Sequence, residues 1–162
     1  MSEEADSASW LERLFPRSAG ADYRGHPVAL WIFVPFTLLT LGRSLVHIFR
    51  ADGGAQSIAT IPLDRYSQDA ADTVVLIFAY WGLSQLLLGF VFVAVLVRYR
   101  AWLPFMWLLV GVEYLGRLGL SAWKPIVTIE TPPGATGNVV FSALAVVMLV
   151  LALWDWRSRS PN

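Results

Sequence analysis

Cysteine is missing from the chain altogether. That absence excludes disulfide staples, thiolate metal sites, iron–sulfur clusters and thiol redox chemistry, and it leaves the compartment open. Charge of either sign is not in excess either, because the formal net charge is zero. The arginines are spread over short termini and turns instead of forming a basic patch, so nucleic acid is not an expected partner. A glycine-rich phosphate loop, histidines at zinc spacing and a nucleophile elbow are also lacking, and no repeat relates the two halves. The chain does not open on a basic segment leading into an apolar run: Glu3, Glu4 and Asp6 come first. The first long apolar stretch is therefore expected to be a retained anchor, not a cleaved signal.

Apolar residues make up 56% of the sequence and mean hydropathy is +0.56, above the roughly 45–50% apolar content of soluble domains. Long apolar runs cover about 27–48, 73–97, 101–123 and 138–154, each near the roughly 17–25 residues needed to cross hydrocarbon. They predict an all-α fold, a four-transmembrane-helix bundle over 27–156, between an N-terminal segment (1–26) and a tail (157–162). Within the N-terminal segment, Ser9 and Glu12 have capping-box spacing, and Trp10, Leu11, Leu14 and Phe15 precede Pro16. This pattern predicts a short interfacial helix.

Pro35 is expected to bend the first span. The turn from Val97 to Trp102 is so short that the second and third spans should be antiparallel neighbours. A long loop is expected over 50–72. Pro125, Pro132, Pro133 and Gly134 predict a stiff, non-helical loop over 124–137.

With four spans, Arg13, Arg17, Arg24, Arg98, Arg100, Arg157 and Arg159 fall on one side, and Arg50, Arg65 and Lys124 on the other. The positive-inside rule then makes both termini cytoplasmic. Trp31, Trp102, Trp154 and Trp156 should line the inner interface and Trp123 the outer one.

The informative residues are polar ones at membrane depth, where an unpaired charge costs roughly 2.5–3.5 kcal/mol on insertion scales. Thr37, Thr40, Ser44 and His47 recur at steps of three and four along one stripe, with Arg43 beside it. Gly82, Gln85 and Gly89 share a face of the second span, small enough to admit a neighbouring backbone. Glu113 and Arg117 stand one turn apart on the third, the order and spacing of an intrahelical ion pair. Counting at about 1.5 Å per residue puts Glu113 and Gln85 near the midplane and Arg117, Arg43 and His47 in the outer half. Tyr80 and Tyr114 are further candidates for one connected network.

Two readings of that network stay open on sequence: a ligand site, or charges that neutralise each other and fix helix packing. His26 and His47 sit at opposite ends of one span, which excludes a bis-histidine haem within the chain. No cofactor and no metal ligand set is identified. Asp52, Gly53 and Gly54 form a turn signal, and Asp64, Asp69 and Asp72 read as a solvated face, with loose cation binding as the alternative.

Across Glu113, Tyr114, Leu115, Gly116 and Arg117, followed by an outer loop and a last apolar helix, the chain resembles the DoxX-like group of small four-helix bacterial membrane proteins. The resemblance implies a multi-pass protein of the bacterial inner membrane, and some members are described as membrane subunits linked to quinone-dependent sulfur oxidation. The lack of cysteine argues against a thiol-based version, and only fold and location are carried over. The combined expectation is a polar pocket within the first three spans, open to the outer face. It would take a quinone or lipid headgroup, with Arg43, His47, Gln85, Glu113, Arg117, Tyr80 and Tyr114 as binding residues. The alternatives are a non-catalytic subunit held to a membrane-protein partner or to a second copy, and a proton-coupled carrier. Whether the chain is an enzyme is left open.

Overall fold

A computed structural model describes residues 10–155. Ser9 of the capping box, Trp156, Arg157 and Arg159 with the 157–162 tail lie outside the described residues. The described chain is all-helical: α1 (Trp10–Leu14), α2 (Pro27–Phe49), α3 (Gln68–Val97), α4 (Leu103–Trp123) and α5 (Pro133–Leu153). Short 3-10 turns occupy Leu63–Arg65 and Arg100–Trp102. The last four helices are each long and apolar enough to span a membrane, as in a multi-pass membrane protein.

Local chemistry sets where the helices begin. His26 caps α2, its Nδ1 accepting from the Val28 amide, and Pro27 fills the first helical position, where no N–H is required. Two boundaries differ from those expected. Pro133 starts α5, so 133–137 is helical and the stiff loop ends at Pro132. α3 starts at Gln68, five residues before its apolar run, because Gln68 bonds Asp72 across one turn (2.8 Å) and Asp69 lies near the positive end of the helix dipole. At 30 residues α3 is roughly 45 Å long, so its polar first turns extend past a hydrocarbon core of about 30 Å. α2 is one continuous helix across Pro35.

The helices pack as two tight pairs, α2 with α3 and α4 with α5; α2 also meets α5, whereas α3 and α4 touch only sparsely. The short 98–102 connection therefore makes α3 and α4 neighbours without close packing. Small residues explain the first pair. A Cβ added at Gly82 would stand 2.8 Å from the His47 Cβ and 3.0 Å from the Ser44 carbonyl, and one at Gly89 would stand 2.6 Å from Leu41. α2 turns its hydroxyls inward, and Thr37, Thr40 and Ser44 satisfy them on the carbonyls of Phe33, Phe36 and Thr40.

Inside, the bundle has two storeys. Towards the end that carries the termini, Phe33, Phe36, Phe92 and Trp107 form an edge-to-face and tilted aromatic core. Trp107 also donates its indole N–H to the Ala29 carbonyl across 3.1 Å. Above that core, towards the 50–67 and 124–132 loops, lie the ionisable residues. The two loops are tied together, since Ile129 N–H donates to the Thr60 carbonyl and the Thr60 hydroxyl to the Glu130 carbonyl.

The terminal face is closed by residues 10–26. Arg13 donates to the Leu153 carbonyl and pairs with Asp155, and Ala101 N–H donates to the Gly20 carbonyl. Gly25 passes so close to the Ala152 carbonyl and the Tyr23 ring that no side chain would fit. Burial of Tyr23 pushes its phenol well above the ordinary tyrosine range. Trp10, Leu11 and Phe15 remain about half exposed or more, while Leu14 is buried. A cavity of about 180 Å³ lies on this face, bounded by Arg13, Tyr23, Arg24, Gly25 and Pro104.

Candidate functional site

Four of the seven sequence-selected residues form one hydrogen-bonded chain across three helices. Arg43 of α2 donates through Nε and Nη2 to Gln85 Oε1 of α3 at 3.2 and 3.0 Å. Gln85 Nε2 donates to Glu113 Oε1 of α4 at 3.4 Å, and Arg117 Nη2 donates to that same oxygen as an ion pair one turn further on. The amide orientation is dictated by its neighbours. Arginine only donates and a carboxylate only accepts, so the carbonyl must face Arg43 and the NH₂ must face Glu113. Gln85 thus joins the α2 cation to the α4 carboxylate through hydrogen bonds from α3.

Trp81, one turn before Gln85 on the same face of α3, is the hub that sequence reading passed over. The Arg117 guanidinium carbon lies 4.9 Å from its ring centroid and that of Arg43 lies 5.5 Å away, both cation–π contacts. The His47 ring packs on it as well, at 4.6 Å between centroids. Tyr114 is buried and holds the other side of Arg117, whose guanidinium carbon is 4.8 Å from its ring, while packing on Phe36 and Phe141. Tyr80 is not brought in: it is 63% exposed on another face of α3.

His47 is 5% exposed, with Nδ1 2.7 Å from the Gly53 carbonyl. A carbonyl only accepts, so Nδ1 carries the proton. The loop that presents Gly53 is itself built by Asp52, whose carboxylate accepts from the Gly54 and Ser57 amides at 3.0 and 2.7 Å. Gly53 and Gly54 have φ of +58° and +77°, left-handed backbone that favours glycine. Burial alone would raise the Asp52 carboxyl, but the Ser57 side-chain and backbone hydrogen bonds, the Gly54 amide and Arg50 outweigh it and hold it at about 2. The Asp-Gly-Gly turn signal therefore does local work, fixing the His47 ring from outside the helix.

The charges in the cluster do not cancel. Arg43 and Arg117 are two cations and Glu113 is one carboxylate, leaving one positive charge in excess. Among the described residues Arg43 has no carboxylate partner. Nor is the cluster sealed: the Arg117 side chain is 17% exposed and the Glu113 side chain 31%. Among the described residues no set of three His, Asp or Glu side chains gathers in a way that could hold a metal, and Asp64, Asp69 and Asp72 do not converge. The cavity on the terminal face is a separate feature at the other end of the bundle.

Comparison with protein-family models, with curated proteins and with solved structures returns no match for this chain.

Proposed function

We propose that this is a bacterial inner-membrane protein of the DoxX-like kind whose Arg43–Gln85–Glu113–Arg117 cluster binds the headgroup of an amphipathic ligand, a lipid or a quinone. The observation that carries the reading is the unbalanced charge. One guanidinium in excess, part-exposed in the loop half of a membrane bundle, is costly without a counter-ion, and a headgroup with anionic or strongly accepting oxygens would supply it. The sparse contact between α3 and α4 offers a lateral way in from the membrane.

In this reading both termini are cytoplasmic. Arg13, Arg17, Arg24, Arg98 and Arg100 lie towards the terminal face and Arg50, Arg65 and Lys124 towards the loop face, a bias in the cytoplasmic direction. The exposed Trp10, Leu11 and Phe15 of the α1 segment then rest on the inner leaflet.

The test is a titration of the purified protein in phosphatidylcholine nanodiscs with dihexanoylphosphatidylmethanol, a minimal lipid anion, and separately with decylubiquinone. Arg43→Gln should weaken binding of the recognised probe at least tenfold while the melting temperature stays within a few degrees. Equal affinity of wild type and Arg43→Gln for both probes ends the reading.

A further inference from the structure

One buried polar atom stands beside the cluster without a role in it. Among the described residues His47 Nε2 has no hydrogen-bond partner, in a residue that is 5% exposed. A buried acceptor left without a donor costs on the order of 1–3 kcal/mol, and such groups in folded proteins are nearly always matched. Because Nδ1 is committed to the Gly53 carbonyl, Nε2 of the neutral ring offers a lone pair. That lone pair belongs to a ring lying on the Trp81 indole, which also carries both guanidinium groups. Both arginines are close enough to act electrostatically on the imidazole.

We infer that His47 is a specificity-determining residue of the same site and that the ligand recognised there is an anion bearing a hydroxyl group, whose O–H donates to Nε2. The inference rests on the headgroup-binding reading above and deepens it. Donor type follows from the neighbours. An ammonium would be repelled by Arg43 and Arg117, whereas a hydroxyl is neutral and can sit beside them while the anionic oxygens of the same molecule meet the guanidinium groups. A metal ion on Nε2 would meet the same repulsion and finds no further ligand set among the described residues. Nε2 is closed off in the free protein, so access requires the side chains packed around it to shift.

The experiment compares two short-chain lipids of equal chain length and charge in phosphatidylcholine nanodiscs: dihexanoylphosphatidylglycerol, which has headgroup hydroxyls, and dihexanoylphosphatidylmethanol, which has none. Wild type should bind the glycerol lipid about tenfold more tightly, the size of one satisfied buried hydrogen bond. His47→Leu should lose that preference. In parallel, ¹⁵N spectra of histidine-labelled wild-type protein should show the His47 Nε2 resonance move upfield with the glycerol lipid and not with the methyl lipid, a readout that needs no variant to fold. A third arm with glycerol 3-phosphate tells a soluble hydroxy-anion from a lipid, since the same preference and shift with this probe would assign the site to the soluble form. Equal affinity for the two lipids and an unmoved Nε2 resonance with all three probes would overturn the inference for His47 while leaving the arginine site standing. Failure of all three probes to bind wild type would remove this inference together with the anionic-lipid form of the arginine site, leaving that site to the decylubiquinone titration alone.

Discussion

Glu113 is the one carboxylate of the cluster, and replacing it with alanine is the perturbation whose size follows most directly from the geometry. An exposed ion pair contributes about 0–1 kcal/mol, whereas breaking a buried one costs about 3–5 kcal/mol. With 17% of the Arg117 side chain and 31% of the Glu113 side chain exposed, this pair lies between those limits. Arg117 keeps its ring contacts with Trp81 and Tyr114, worth about 0.5–1 kcal/mol each, so it is not wholly abandoned. Gln85 loses the acceptor of its NH₂ group. Together these give a loss of about 2 kcal/mol for Glu113→Ala, close to a thirtyfold change in the folded-to-unfolded ratio. Reversible unfolding in mixed micelles with increasing sodium dodecyl sulfate measures it. Adding Arg117→Leu and the double variant closes a cycle with an expected coupling of about 1.5 kcal/mol. A coupling below about 0.3 kcal/mol, or a Glu113→Ala curve that overlays the parent, would refute the claim that this pair is built into the bundle.

Gly82→Ala should destabilise by about 1–3 kcal/mol in the same assay, because its Cβ meets the Ser44 carbonyl and the His47 Cβ; Gly116→Ala, with nothing within 4 Å, should be neutral or slightly stabilising. Trp107→Phe keeps the aromatic packing but loses the bond to the Ala29 carbonyl, so its melting temperature should fall by an amount equivalent to about 1 kcal/mol; no change would place that bond outside the energetics. The Asp52 carboxyl is held at about 2, against an ordinary value of 3.8. Its stabilising contribution to the Gly53 turn is therefore complete above pH 3.8 and lost as pH falls through about 2. A carboxyl ¹³C titration should find the midpoint near 2, and a midpoint near 3.8 would mean that the Gly54 and Ser57 hydrogen bonds do not form.

Much of this was legible because helical spacing reports which residues share a face. Thr37, Thr40, Ser44 and His47 are all buried, as are Gly82, Gln85 and Gly89. Arg43, Gln85, Glu113 and Arg117 meet as polar residues at hydrocarbon depth are forced to. Tyr80 shows the limit of choosing residues by chemistry alone: five positions from Gln85, it is rotated about 140° around α3 and points elsewhere. Trp81, four positions from Gln85, had the right spacing but is not a residue type that a search for polar hydrogen-bonding partners selects, and only the structure shows two guanidinium groups over its ring. The early starts of α3 and α5 were missed for a different reason. Hydropathy marks where the apolar run begins, whereas the Gln68–Asp72 pair and the proline at the first position of α5 mark where the helices begin. The role of Asp52 depends on a contact between turn and helix, through Gly53 to His47, that no local pattern encodes.

The proposed site requires a bundle interior with one cation too many, turned towards a ligand instead of lipid tails. An experimental density map of the protein extracted with its native lipids tests this most directly. It should show Arg43 bonded to Gln85 and a non-protein headgroup with an oxygen within about 3 Å of the Arg43 or Arg117 guanidinium. An Arg43 side chain lying against acyl chains, with Gln85 bonded elsewhere and only protein packed around Glu113 and Arg117, would contradict it.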